Sequence, residues 1–252
     1  MSNFKFSLKA ISVVAGMVVG VMAPMHAATA GTVNLTFNGA AYGYENFNLV
    51  NGTPSVNDSN QAAGGFTMQV NANPAPADPQ FKAGSSILAW CIELTQSIGA
   101  GSSYNYTTTD LTSVPSWAGR LQELIAQNYQ TVLSAANSIT SAAMQLAIWE
   151  VVYEPASSAL NLSSGNFSAS APLFNGDSTS ARNMAQGWLN NLSSSADTGK
   201  YKIVMLTNGS AQDLVTVLPT PIPAAALLFG SALGLGGLLQ RRRRATPTVA
   251  AA

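Results

Sequence analysis

Apolar and polar positions alternate first with a period of two and later with a helical period. Residues 32–37, 42–49, 65–71 and 87–94 alternate apolar or aromatic side chains with polar ones between loops of Gly, Asn and Pro. That alternation predicts antiparallel strands, with residues 104–108 as a fifth. The run Asn73-Pro74-Ala75-Pro76-Ala77-Asp78-Pro79 excludes an interior strand there. Beyond Pro115, Trp117, Leu121, Leu124, Ile125 and Tyr129 fall on one helical face, and Pro115 or Ser116 is the expected start. A second helix is predicted over 141–153, apolar nearly all round through Met144, Leu146, Ala147, Ile148, Trp149, Val151 and Val152, and so buried. A third is predicted over 179–192. A hairpin then follows, with strands over 201–206 and 212–218 and a tight turn at Asn208-Gly209. Strands, helices and closing strands predict an α+β domain, an antiparallel β-sandwich or barrel with a helical insertion.

The two ends are patterned differently. Lys5 and Lys9, an apolar run over 10–23 and the small-residue stretch Ala28-Thr29-Ala30 predict a secretory signal peptide over 1–30. Its apolar core is shorter than a spanning helix needs. Cleavage is expected after Ala30, with Ala27 as second candidate. At the other end, Leu218-Pro219-Thr220-Pro221-Ile222-Pro223 leads into an uncharged span over 224–239 and then into Arg241, Arg242, Arg243 and Arg244. The prolines interrupt any helix arriving from the body. The arginines hold that end in the cytoplasm, which predicts a short transmembrane helix with the body outside the inner membrane. One domain, 31–217, lies between the ends.

Removing the ends changes the charge. Lys82, Arg120, Arg182, Lys200 and Lys202 remain against all eleven carboxylates, five minus eleven or a net minus six, where the whole chain is neutral. An acidic body argues against a nucleic-acid partner, which needs clustered cations. The sole histidine, His26, falls in the signal peptide, so the body has no imidazole. That removes Ser-His-Asp and Cys-His catalysis and the commonest zinc and copper ligand; no metal or cofactor is expected. The single cysteine, Cys91, cannot form an internal disulfide in an oxidising compartment. It is buried as a small hydrophobe, bonded to another chain or capped chemically.

Proline pair, short apolar span and terminal arginines together resemble the PEP-CTERM sorting tail in its P-x-P-A variant, with Pro221, Pro223 and Ala224 as the motif and Arg241, Arg242, Arg243 and Arg244 as the basic end of a tail over 218–252. Pro-Ile-Pro-Ala stands where the literal Pro-Glu-Pro would be. The resemblance implies processing by an exosortase-type transpeptidase, a transient stay in the inner membrane, and a mature protein at the cell surface or in the extracellular matrix.

Three stretches of the body stand out: Ala89-Trp90-Cys91-Ile92-Glu93, Met144-Gln145-Leu146-Ala147-Ile148-Trp149-Glu150 and Ala211-Gln212-Asp213-Leu214-Val215. In this order they resemble the motifs of the thioester domains of bacterial surface adhesins, with Trp90 in place of the usual Tyr, Phe or Leu and Met144 in place of threonine. The resemblance implies that the Cys91 sulfur condenses with the Gln212 carboxamide, with Gln145 and Trp149 as the packing motif beneath them. It implies an adhesion or interaction module that captures an amine-bearing surface partner; an extracellular polysaccharide is the other partner expected of a matrix protein. Condensation of a thiol with a nearby amide needs proximity, exclusion of water and oxyanion stabilisation, and no histidine. The plainer reading of Cys91 is a buried small residue. Gln145 shares a helix face with Trp149, so its amide is expected to be buried and to bridge to backbone.

Two further readings stay open. Glu93 and Glu150 can be taken as the carboxylate pair of a secreted glycoside hydrolase, which requires both to face one cleft. The plainer expectation is that Glu150 and Glu154 cap or salt-bridge a helix end with Arg120 or Arg182. The other is a structural matrix protein without a specific ligand.

Overall fold

The structure, a computed structural model, describes residues 30–219 apart from 73, 112–114 and 195. Of the expected signal peptide (1–30) and sorting tail (218–252), residues 1–29 and 220–252, with Pro221, Pro223, Ala224 and the four arginines, lie outside the described residues. Among the described residues no helix is long and apolar enough to cross a membrane.

Six strands close into an antiparallel barrel: β1 (Gly31–Ala40), β4 (Phe66–Val70), β5 (Ser86–Cys91), β9 (Leu214–Pro219), β8 (Tyr201–Thr207) and β6 (Ser103–Asp110), in that order around the ring. Pairing of β6 with β1 completes it, with Val33 opposite Tyr106 and Leu35 opposite Tyr104. A second sheet has β2 (Glu45–Asn51) at its centre, flanked by β3 (Val56–Ala63) and β7 (Phe167–Ser170). Three helices, α1 (Ala118–Ala135), α2 (Ser138–Tyr153) and α3 (Gly176–Asn190), follow β6 in the chain, and α2 touches both sheets through β5, β2, β3 and β7. The expected α+β class is present, as a barrel beside a small sheet.

Local chemistry sets these elements. In β1, Val33 and Leu35 point into the core while Thr32, Asn34 and Thr36 face out, the period-two pattern of a half-buried strand. The left-handed Ala136 closes α1, and Asn137 immediately opens α2, its side-chain oxygen accepting from Thr140 N at 2.9 Å. Asn175 caps α3 in the same way through Ser178 N at 3.0 Å. At α1 no side chain caps the start; the helix begins at Ala118, after Ala118 N has bonded Pro115 O. Two strands escape the pattern: β3, Val-Asn-Asp-Ser-Asn-Gln-Ala-Ala, is mostly exposed, and β7 has four residues.

The closing hairpin differs from a tight two-residue turn. β8 ends at Thr207 and β9 begins at Leu214, so Asn208 to Asp213 form a longer connection. Asn208 Oδ1 accepts from Ser210 N at 2.8 Å and Asp213 Oδ1 from Asn208 N at 2.7 Å, so side chains hold the loop. Gln212 therefore sits in the loop and not on the strand. β9 itself runs through Pro219, two residues past the expected domain end at 217.

Neither glutamate at the end of α2 pairs with an arginine. Glu150 Oε1 accepts from Asn161 N at 2.6 Å, and Glu154 Oε2 from Asn166 N at 2.7 Å and Phe167 N at 3.3 Å. Arg120 donates instead to the carbonyls of Pro155, Ala156 and Ser158, and Arg182 to Ala169 O and Ser163 Oγ. The two carboxylates thus fasten the loop that leads into β7. Glu150 is wholly buried and its Oε2 has no hydrogen-bond partner among the described residues. Burial pushes its carboxyl up to about 7, offset in part by the Asn161 N–H, with Glu154 raising it and Arg120 lowering it. An acid whose native pKa is raised binds more protons folded than unfolded, so its contribution to stability falls as pH rises from about 4.5 to about 7. Glu150→Gln keeps the acceptor for Asn161 N and removes the buried charge. We expect it to be more stable than wild type at pH 8, by on the order of 3 kcal/mol at most, and the difference to vanish by pH 4 in denaturant titrations.

Candidate functional site

β5 is flanked by β4 only as far as Ala89, which lies opposite Phe66; two residues on, at Cys91, β4 has ended. On the other side Cys91 still pairs with Leu214 of β9. The vacant edge is filled by a side chain. Gln145 Oε1 accepts from Cys91 N at 3.0 Å and its Nε2 donates to Cys91 O at 2.8 Å, so one buried carboxamide stands in for a missing strand residue. Gln145 belongs to a series along α2 at four-residue spacing: Ser141, Gln145, Trp149 and Tyr153. Ser141 Oγ accepts from Gly65 N at 2.8 Å, just before β4. Tyr153 Oη accepts from Leu94 N at 3.0 Å and donates to Ile92 O at 3.2 Å. One helix face thereby fixes the end of β5 and the turn beyond it.

Gln212 is fixed from the opposite side. Its main-chain oxygen accepts from Tyr106 Oη of β6 at 3.2 Å, and the next residue is zipped to the β5 turn, Ile92 N donating to Asp213 O at 2.9 Å and Asp213 N to Glu93 Oε2 at 3.4 Å. Cys91 Sγ donates to Glu93 O at 2.5 Å and Gln212 Nε2 donates to the same oxygen at 3.4 Å, so sulfur and carboxamide nitrogen are at most 5.9 Å apart. Cys91, a free thiol, is buried, while Gln212 is half-buried. A cavity of about 230 Å3, lined by Asp58 and Gln61 of β3, by residues 94–97 and by Gln212, opens to the acyl side of the pair. A second, more open depression of about 400 Å3 lies beyond it, with Glu93, Asp213 and Asn208 in its wall.

Burial pushes the Cys91 thiol up to about 12; the backbone bond at Glu93 and the Trp149 indole N–H pull the other way, and the Glu93 and Asp213 charges add to the rise. The sulfur is therefore a protonated thiol at neutral pH. Burial also raises Asp213, opposed by the Asn208 N–H and reinforced by Glu93. The surroundings are acidic: Asp58, Glu93 and Asp213 line the two openings, and among the described residues no Lys or Arg does. Among the described residues no group of His, Cys, Asp or Glu is disposed to hold a metal ion.

Cys91, Gln145, Trp149 and Gln212, singled out from three separate stretches, thus meet in one place. Glu150 does not join them; it is turned into the packing against residue 161, so it shares no solvent-reached cleft with Glu93 and the carboxylate-pair hydrolase loses its geometry. Ser141, Tyr153 and Tyr106 were not singled out, and Asp213 was quoted in the third stretch without a role. The first two are visible in the sequence as extensions, one turn each way, of the Gln145 and Trp149 spacing; Tyr106 carries no local signal.

Replacing Gln145 by Leu keeps the bulk and strands a buried N–H and a buried C=O. Each unpaired group costs about 1–3 kcal/mol, so a loss of about 2–5 kcal/mol is expected in chemical denaturation. Amide exchange at Cys91 should accelerate more than at Ala89, which keeps its β4 neighbour.

Comparison with family models, with curated proteins and with solved structures yielded no match for this chain, so the functional argument rests on the arrangement of Cys91, Gln145, Trp149 and Gln212 itself.

Proposed function

We propose that this domain is an exported interaction module in which Cys91 and Gln212 condense to an internal thioester that captures amines. The observation that carries the reading is the convergence of the Cys91 sulfur and the Gln212 carboxamide nitrogen on the single carbonyl of Glu93. Both partners are held through their main chains, by Gln145 and by Tyr106, which keeps the sulfur and the carboxamide near one another. Such preorganisation supplies the effective concentration that an unactivated amide needs. Burial around Cys91 keeps water from the product, and the half-buried Gln212 leaves the acyl carbon reachable from the cavity beside β3. The acidic lining favours a cationic nucleophile such as a lysine side chain of a surface or matrix partner.

In this reading the N-terminal segment exports the chain, the P-x-P-A tail is processed by an exosortase-type transpeptidase at the inner membrane, and the mature body acts at the cell surface or in a biofilm matrix. The acidic openings disfavour a nucleic-acid partner.

Intact mass of the purified body tests the chemistry. The expected mass is lower than calculated by one ammonia, the deficit is absent in Cys91→Ala and in Gln212→Ala, and incubation with methylamine replaces it by one methylamine adduct on Gln212. A full calculated mass, with one thiol alkylated after unfolding, overturns the reading.

A further inference from the structure

Four buried side-chain atoms find no hydrogen-bond partner among the described residues: Trp90 Nε1, Gln96 Oε1, Trp149 Nε1 and Glu150 Oε2. A buried donor left unpaired is rare and costly, and asks for an explanation. Trp90 Nε1 faces the backbone at Gly65, where an added Cβ would come within 3.1 Å of it. Gln96 lies in the outer cavity and Glu150 against residue 161. Trp149 is placed differently. It sits on the α2 face between Gln145, which binds both main-chain groups of Cys91, and Tyr153, which binds Ile92 and Leu94. Each neighbour one turn away spends its polar group on residues 91–94, while the Trp149 indole N–H acts on the Cys91 sulfur without a hydrogen bond of ordinary geometry to any described residue. The ring is 2 % exposed and is wedged against Phe167 with centroids 6.2 Å apart, so it cannot turn to water.

We propose that the Trp149 indole N–H is the donor that receives the acyl oxygen of Gln212 when that carbon is bonded to Cys91. The inference rests on the thioester reading and deepens it, turning Trp149 from a packing residue into one that touches the reacting atoms. In formation, the Sγ–C bond forms as the C–N bond of the carboxamide breaks, and the thiol proton leaves on ammonia. In capture, the amine nitrogen bonds to the carbon, the C–S bond breaks, and an amine proton passes to sulfur. Both steps run through a tetrahedral carbon whose oxygen bears negative charge, and a fixed, water-shielded donor stabilises that charge most. The Gln212 amide nitrogen bonds Glu93 O, so its oxygen arm is turned away from that carbonyl and is free to meet another donor. The influence of the indole N–H on the thiol, favouring the anion, places its positive end toward the same centre.

The test compares wild type with Trp149→Phe and with an isosteric chain carrying benzothienylalanine at 149, which keeps the ring volume and lacks the N–H. Three readouts serve: ammonia loss by mass, the rate of methylamine capture, and the infrared C=O stretch of the thioester with Gln212 labelled at the carbonyl carbon. We expect capture to slow by about 10- to 100-fold and the stretch to rise in frequency, with thermal stability kept in the isosteric chain. Unchanged rate and unchanged stretch in either folded variant overturn the assignment to Trp149 while leaving the thioester standing. Full mass in wild type overturns both.

Discussion

The site depends on one substitution of a side chain for a strand. β4 runs out beside Ala89, and the main chain of Cys91 would face an empty edge if Gln145 did not bind both its N–H and its C=O. Buried backbone groups must be paired, and here the partner is a carboxamide, the side chain that most nearly copies a peptide. The consequence is mechanical coupling. The helix that joins the barrel to the small sheet is tied, residue by residue, to the segment bearing the sulfur. Ser141 ties it to the start of β4 and Tyr153 to the turn after β5, so a shift of α2 along its axis would break bonds at three places at once.

The chemistry that this frame allows follows from what it lacks. Without an imidazole and with a thiol held near 12, nothing ionises at the sulfur near neutral pH. Reactivity has to come from geometry: one group at the end of β5 and one in the loop before β9, directed at one carbonyl, with one wall dry and the other open. The same burial that disables Cys91 as a free nucleophile would protect an acyl bond from hydrolysis. The carboxylates of Glu93 and Asp213, which oppose thiolate formation, favour the approach of an ammonium ion. On the proposed function these opposite effects of one charge act in turn, the amine arriving after the acyl bond exists.

Much of this was legible in the chain, and the failures have causes. β1, β5, α1 and α3 follow from periodicity because each has one face in the core, and α2 from being apolar nearly all round and buried on every side. β3 could not be read: Asn57 to Asn60 are polar without alternation, since that strand is an exposed edge. β7 was hidden by its length. The Asn208-Gly209 pair suggests a two-residue turn, but Asp213 Oδ1 accepts from Asn208 N and Asn208 Oδ1 from Ser210 N, bonds that hold a longer loop and keep Gln212 off the strand. Sequence spacing placed Glu150 on the right face but could not say that its acceptor serves Asn161 and not an arginine. At the site, Cys91, Gln145, Trp149 and Gln212 were found from short motifs, whereas Tyr106 was not, because its role arises only when β6 closes the ring.

The run of β9 through Pro219 bears on how load would travel. On the proposed function, with a partner joined at Gln212 and the chain held through its C-terminal tail, the seven residues 213–219 lead from the point of attachment to the end of β9. Tension between partner and cell would then pass along that one strand, gripped in shear by β5 and β8.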